Sequence, residues 1–118
     1  PNLWCDVSAV TDVRPLATLF REEDVRRILY GSDGVDATYF HGQYTALGRS
    51  WQALDADRAG LQFPHTDARP ILAVYEQLLA MKHAAEFAGL TRDDVEHIFW
   101  QNAAELFGVN FGSELSVG

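Results

Sequence analysis

Asp33 is the residue of this chain best suited to chemistry. It follows the apolar run Ile28-Leu29-Tyr30 and the pair Gly31-Ser32. An apolar run without alternation suits a parallel strand covered on both faces. A carboxylate just past such a strand lies at the strand's C-terminal edge, where parallel α/β folds build their sites. There it can ligate a metal ion or take a proton from metal-bound water. Equally, it could start a turn or cap a following helix, and spacing alone does not separate these roles. The four histidines are His41, His65, His83 and His97. His83 and His97 fall within helical patterns and read as packed or solvated side chains. His41 and His65 fall in a long polar and aromatic stretch, where a substrate contact is open to them; His41 is the candidate for substrate binding. Ser32 lacks the Gly-x-Ser-x-Gly elbow of a nucleophilic serine. Tyr39, Phe40, Tyr44 and Trp51 could line a pocket for an organic substrate or simply pack together.

The elements that must position Asp33 follow from the apolar pattern. Leu3 to Val7 reads as a short strand, and Ser8 to Asp12 as a polar turn. Pro15 suits a first helical turn, where its missing N–H costs nothing. Leu16, Leu19 and Phe20 then give Pro15 to Glu23 one apolar helical face. With Ile28 to Tyr30 this makes one βαβ unit, whose crossover is expected to be right-handed. The stretch Gly34 to Pro70 reads as an excursion, helical over Tyr39 to Leu54, which either covers the fold or serves as a functional loop. Asp67 to Ala88 reads as a helix whose apolar face is Leu72, Tyr75, Leu78, Leu79, Lys82 and Phe87, closed by Gly89. Thr91 caps a last helix with Asp93 and Asp94 in its first turn. That helix carries Val95, Ile98, Phe99, Asn102 and Leu106 on one face and ends at Gly108. Asn110 to Gly118 reads as a frayed tail. Helix should outweigh strand.

The 118 residues fit one domain, with no repeat, low-complexity tract or linker. Nine basic residues against 17 acidic ones, a net charge of -8, lack the basic footprint that nucleic acid or an anionic membrane requires. No apolar run approaches the roughly 18 residues of a membrane span, and no signal peptide is evident. Cys5 is the single cysteine, reads as a small buried hydrophobe, and suits a reducing, cytoplasmic setting. The start at Pro1 hints at a piece of a longer protein.

Ile28-Leu29-Tyr30-Gly31-Ser32-Asp33 resembles the "I-L-[FY]-G-S-D" segment of the amidohydrolase superfamily, in its amidohydrolase-related, metal-dependent hydrolase branch. Asn2 to Val10 resembles that family's preceding strand, with its "V-Y-x-D-x-S" run. Gly89-Leu90-Thr91, Ile98 and Gln101 to Gly108 resemble its closing "G-L-(S/T)…I-…-x-N-A-x-x-L-F-G" helix. The three segments occur in family order over Asn2 to Val109. The resemblance implies that residues 1–118 form a single partial domain, α/β in class: a C-terminal fragment of a (β/α)8 TIM barrel, helix-rich with about two parallel strands. It implies that Asp33 is a metal ligand and moves protons to and from the attacking water. Asn102 falls on the family's near-constant helix asparagine and is expected to be structural. The implied activity is metal-dependent hydrolysis of a small organic substrate, with zinc the first expectation; a decarboxylase of the same superfamily is the alternative.

The chain also departs from the family. Gly34-Val35-Asp36 stand where an aromatic and a proline are usual, and the His-x-His segment and the other histidine ligands are missing. All four histidines follow Asp33, so none can be those ligands in family order. A whole barrel needs roughly 250 residues, and catalytic zinc usually has about three protein ligands. The chain by itself is therefore expected to be inactive. A non-catalytic α/β interaction module is the reading of another class. Two strands are too few for an independent sheet, so the edge at Leu3 to Val7 is expected to be covered by the excursion, a helix or a second copy of the chain.

Overall fold

Two short parallel strands carry the whole arrangement. β1 (Cys5–Asp6) pairs with β2 (Ile28–Leu29), Cys5 opposite Ile28 and Asp6 opposite Leu29. The Val7 N–H extends the ladder to the Leu29 carbonyl at 3.1 Å. The structure is a computed structural model and describes residues 2–34, 42–47, 50–55 and 72–110. Between the strands runs α1 (Val13–Glu22). It starts two residues before Pro15 because Asp12 caps it, its side chain accepting from the Arg14 N–H at 3.1 Å. A single 3-10 turn, Val25–Arg27, capped by Asp24, leads into β2. The expected strand–helix–strand order with parallel pairing is what forms.

The excursion is not helical where it is described. β3 (Gly42–Leu47) and β4 (Ser50–Asp55) form an antiparallel hairpin, with Leu47 opposite Ser50. The helix expected over Tyr39 to Leu54 is therefore corrected to a hairpin. The two residues left between the strands are Gly48-Arg49, and a two-residue link opening on glycine is a hairpin signal that outranks a loose helical pattern. The segments 35–41, 48–49 and 56–71, and the tail 111–118, lie outside the described residues, and with them His41, His65 and the expected first turn of the next helix.

α2 (Ala73–Ala88) packs across α1 and ends at Gly89, whose φ of 71° is left-handed, as a C-cap glycine allows. Its buried face is Ala73, Gln77, Ala80, Met81 and Ala84. This overturns the expected face. Tyr75, Leu79 and Phe87 are 60%, 51% and 64% exposed. The alanines have no bulk to hold the helices apart, so α1 approaches closely with Leu16, Ala17 and Phe20. The Arg21 guanidinium donates to the Phe87 carbonyl at 2.7 Å, supplying a cation and a donor at the C-terminal end of α2.

The last element is a helical run in three parts: α3 (Arg92–Glu96), a π turn (His97–Gln101) and α4 (Asn102–Phe107). Thr91 and Asp94 form a reciprocal capping box at its start. Gly108, with φ 66°, closes it. The π turn was not foreseen. It brings the Asn102 N–H to the His97 carbonyl and so sets residues five apart side by side. Ile98 and Asn102 are buried as expected, whereas Leu106 is exposed. The core joins Val7, Leu16, Phe20, Ile28, Met81, Ala84 and Ile98. No helix among the described residues is long and apolar enough to cross a membrane.

Candidate functional site at the strand exits

β2 leaves the sheet between two buried amides. Asn102, fully buried, donates from Nδ2 to the Val25 and Ile28 carbonyls, both at 2.8 Å. Those two acceptors fix which way the amide points. Its Oδ1 must then accept, and the partner is His97 Nδ1 at 3.1 Å. His97 accordingly carries its proton on Nδ1, and its Nε2 faces the Arg26 guanidinium. Asp93 pairs with Arg26 at 3.4 Å from the exposed side. His97 is thus a buried structural histidine. The other helical histidine, His83, is exposed.

Alternate residues of a strand turn their backbone groups to opposite sides. Leu29 faces β1, so Ile28 and Tyr30 face outward. The Tyr30 N–H donates to the Ile98 carbonyl at 2.9 Å, while Asn102 covers the Ile28 carbonyl. The π turn thus seals the outer edge of β2 with one backbone and one side-chain bond. Tyr30 also stacks on Phe99, ring centroids 4.7 Å apart. Burial pushes the Tyr30 hydroxyl above its ordinary pKa.

At the other end, Gln77 reaches the points where both strands stop. Its Nε2 donates to the Val7 carbonyl and to the Gly31 carbonyl, each at 2.8 Å. Gly31 is also crowded from the β1 side. A Cβ there would collide with Ser8 Oγ and lie 2.8 Å from an Asp6 carboxylate oxygen. That turn is internally bonded: the Asp6 carboxylate accepts from the Ser8 N–H at 2.6 Å and from the Ser8 hydroxyl.

Asp33 comes next, exposed at the exit of β2 as the apolar run implies. Its φ of 68° is left-handed, a conformation that aspartate tolerates better than most residues. The Ser32 hydroxyl donates to the Asp33 carbonyl at 3.3 Å. A family model described as Amidohydrolase matches residues 1–109. The chain belongs to that amidohydrolase family. No curated protein and no solved structure gave a match.

Members of the amidohydrolase superfamily commonly use divalent metals. Among the described residues, no three His, Cys, Asp or Glu side chains come together in a way that could hold one. The described part of this amidohydrolase chain therefore does not fit a complete metal centre, and offers at most the single carboxylate of Asp33. Asp6 is committed to Ser8. Cys5 is half-buried and free, not the fully buried hydrophobe expected. An apolar groove of ≈ 360 Å³ opens among Phe20, Met81, Ala85, Leu90, Val95 and Phe99, and none of its walls belongs to the strand exits. It is not the candidate site.

Gln77 was missed by sequence reasoning, and the signal was present. It lies in phase with Ala73, Ala80 and Ala84, so a polar residue interrupts a small-residue stripe. A polar side chain on a buried face must find partners, and here they are the two strand-end carbonyls.

Proposed function

We propose that this chain is the C-terminal part of a metal-dependent hydrolase of the amidohydrolase type, acting on a small organic substrate. The supporting observation is the position of Asp33, at the C-terminal exit of a parallel strand in a chain of that family. The two strands and their helices would form the last part of a (β/α)8 barrel. Asp33 would supply one metal ligand and a carboxylate for proton transfer, and the remaining ligands would come from outside the described residues. The barrel reading also assigns a partner to the strand edge of β1, which among the described residues pairs only with β2. That partner is more sheet from a longer chain, or a second copy.

The test is metal analysis and turnover on a longer protein carrying this chain, across ester, amide and lactone substrates. Stoichiometric divalent metal and hydrolysis are expected, with both reduced by Asp33→Asn. The 118-residue chain alone should show neither. Tight metal with turnover in the short chain would overturn its being one part of a site. Full activity in the Asp33→Asn protein would overturn the role of Asp33. Release of carbon dioxide instead of a hydrolysis product would move the reading to the decarboxylases.

A further inference from the structure

We propose that Gln77 is a positioning residue for Asp33, acting as a side-chain rung across the ends of the two strands. The inference rests on the reading of Asp33 as a site residue.

The backbone ladder ends at Val7 and Leu29, beside the groups that Gln77 contacts. Its last bond runs from the Val7 N–H to the Leu29 carbonyl. Beyond it the strands have no further rung, and the next carbonyls along, those of Val7 and Gly31, converge on one amide nitrogen. The two hydrogens of a single NH2 satisfy both. No hydrophobic residue can do this, and only an amide offers two donors without a charge. Gln77 is 1% exposed, so it also bears the desolvation cost of a polar group, a cost that these bonds offset. A methionine or leucine would fill the same space without that cost. The amide is therefore selected by its bonds and not by its bulk.

The geometry at Gly31 turns this clamp into control of Asp33. Gln77 holds the Gly31 carbonyl from the helix side. The Ser8 hydroxyl and the Asp6 carboxylate stand beside Gly31 on the β1 side, where a Cβ would meet them. Gly31 thus has the Gln77 amide bonded on one side and the Asp6–Ser8 turn beside it on the other, and Asp33 stands two residues further, within about 7 Å of chain. The direction in which Ser32 and Asp33 leave the sheet is set at this point. Letting go of the Gly31 carbonyl frees the exit without touching the Asp33 side chain.

The test compares Gln77→Met with Met81→Ala in isotopically labelled protein, by nuclear magnetic resonance. Met81 lies on the same buried face of α2, 3% exposed, and has no hydrogen bond to the strands to lose. Gln77→Met should shift the amide signals of Ser8 and of Ser32 to Gly34, together with the Asp33 carboxyl carbon. Met81→Ala should lower the melting temperature as much or more while leaving those signals in place. Equal effects on Asp33 from both variants would reduce Gln77 to ordinary core packing and overturn the proposal. So would unchanged Asp33 signals in Gln77→Met. If Gln77→Met does not fold, the unaltered protein decides: scalar couplings across the two hydrogen bonds from Gln77 Nε2 must be present, and their absence overturns the rung. None of these readouts needs a metal. Failure of Asp33 as a ligand appears separately, as unchanged metal content on Asp33→Asn in a longer protein carrying this chain.

Discussion

Replacing Asn102 should be among the costliest single changes in the chain. The side chain is fully buried and makes hydrogen bonds to Val25, Ile28 and His97. Each such bond is worth about 1 kcal/mol net, and more where a buried partner is left unpaired. Asn102→Ala removes all of them, strands two backbone carbonyls and an imidazole N–H, and opens a small void. The loss should be about 3 kcal/mol. Domains of this size are stable by only about 5–15 kcal/mol, so the variant would sit near the lower end of what folds. Urea unfolding at neutral pH measures it: the midpoint should fall by roughly 1–2 M with the slope unchanged. The melting temperature should drop by about 10 °C. Asn102→Asp makes the reasoning sharper, since it keeps shape and the acceptor for His97 but removes both donors. It should cost at least as much as alanine at neutral pH. A near-native Asn102→Asp protein would refute the account, because it would show that donation to Val25 and Ile28 does not hold β2. A loss under about 1 kcal/mol for both variants would do the same.

Gly31→Ala should destabilise by roughly 1–3 kcal/mol through overpacking, since its Cβ would meet Ser8 Oγ. Adding Ser8→Ala should recover part of that in chemical denaturation, and no recovery would mean the clash lies elsewhere. Thr91→Ala removes the cap of α3 and should cost about 1 kcal/mol. The Thr91 hydrogen bonds hold the Asp94 carboxyl below its ordinary pKa. A depressed carboxylate adds stability that is present above the unfolded value and lost as pH falls through the folded one. The Thr91→Ala penalty should therefore shrink in acid, and a pH-independent penalty would contradict the box. On α2, Leu79→Ala should change stability by under about 1 kcal/mol, while Ala84→Leu should cost about 1–3 kcal/mol, because Leu79 is exposed and Ala84 is fully buried. The reverse order would restore the apolar face that the bulky residues suggested. Hydrogen exchange should be fast at the Trp4 and Asp6 amides, which alternate outward from the Val7 rung, and slow in a longer protein that extends the sheet.

Local sequence was most informative where a short-range rule had one solution. Ile28-Leu29-Tyr30-Gly31 marked a parallel strand and its end, and Gly89, Thr91 and Gly108 marked helix ends that the backbone adopts. The errors came where two rules competed. On α2, side-chain bulk pointed to Tyr75, Leu79 and Phe87, but the alanine stripe won because close helix packing favours small residues. In the excursion, a loose helical pattern competed with a glycine-led two-residue link, and the pairing of β3 with β4 won. The π turn left no local signal, since it exists only to match His97, Ile98 and Asn102 to groups far away in sequence. The place of Asp33 at a strand exit was legible from the strand that ends before it, and Gln77 from its interruption of the alanine stripe, whereas the two carbonyls that Gln77 reaches appear only when α2 is laid across both strands.

The two edges of the small sheet are unequal, and the inequality bears on how Asp33 could belong to a larger site. The outward groups of β2 are taken by Ile98 and Asn102, so no strand can join there without displacing the π turn. β1 pairs with β2 and, among the described residues, with no other strand. In this structure the β1 side is the open one, and closing the proposed barrel would also put a strand on the β2 edge, displacing the π turn. Any ligand carried by a strand added beside β1 would approach Asp33 across the Asp6–Ser8 turn, the same turn that stands beside Gly31. Such a strand would have to pass the Ser8 and Asp6 side chains that a Cβ at Gly31 would meet, so the same turn would bear both on the exit of β2 and on the approach of the strand.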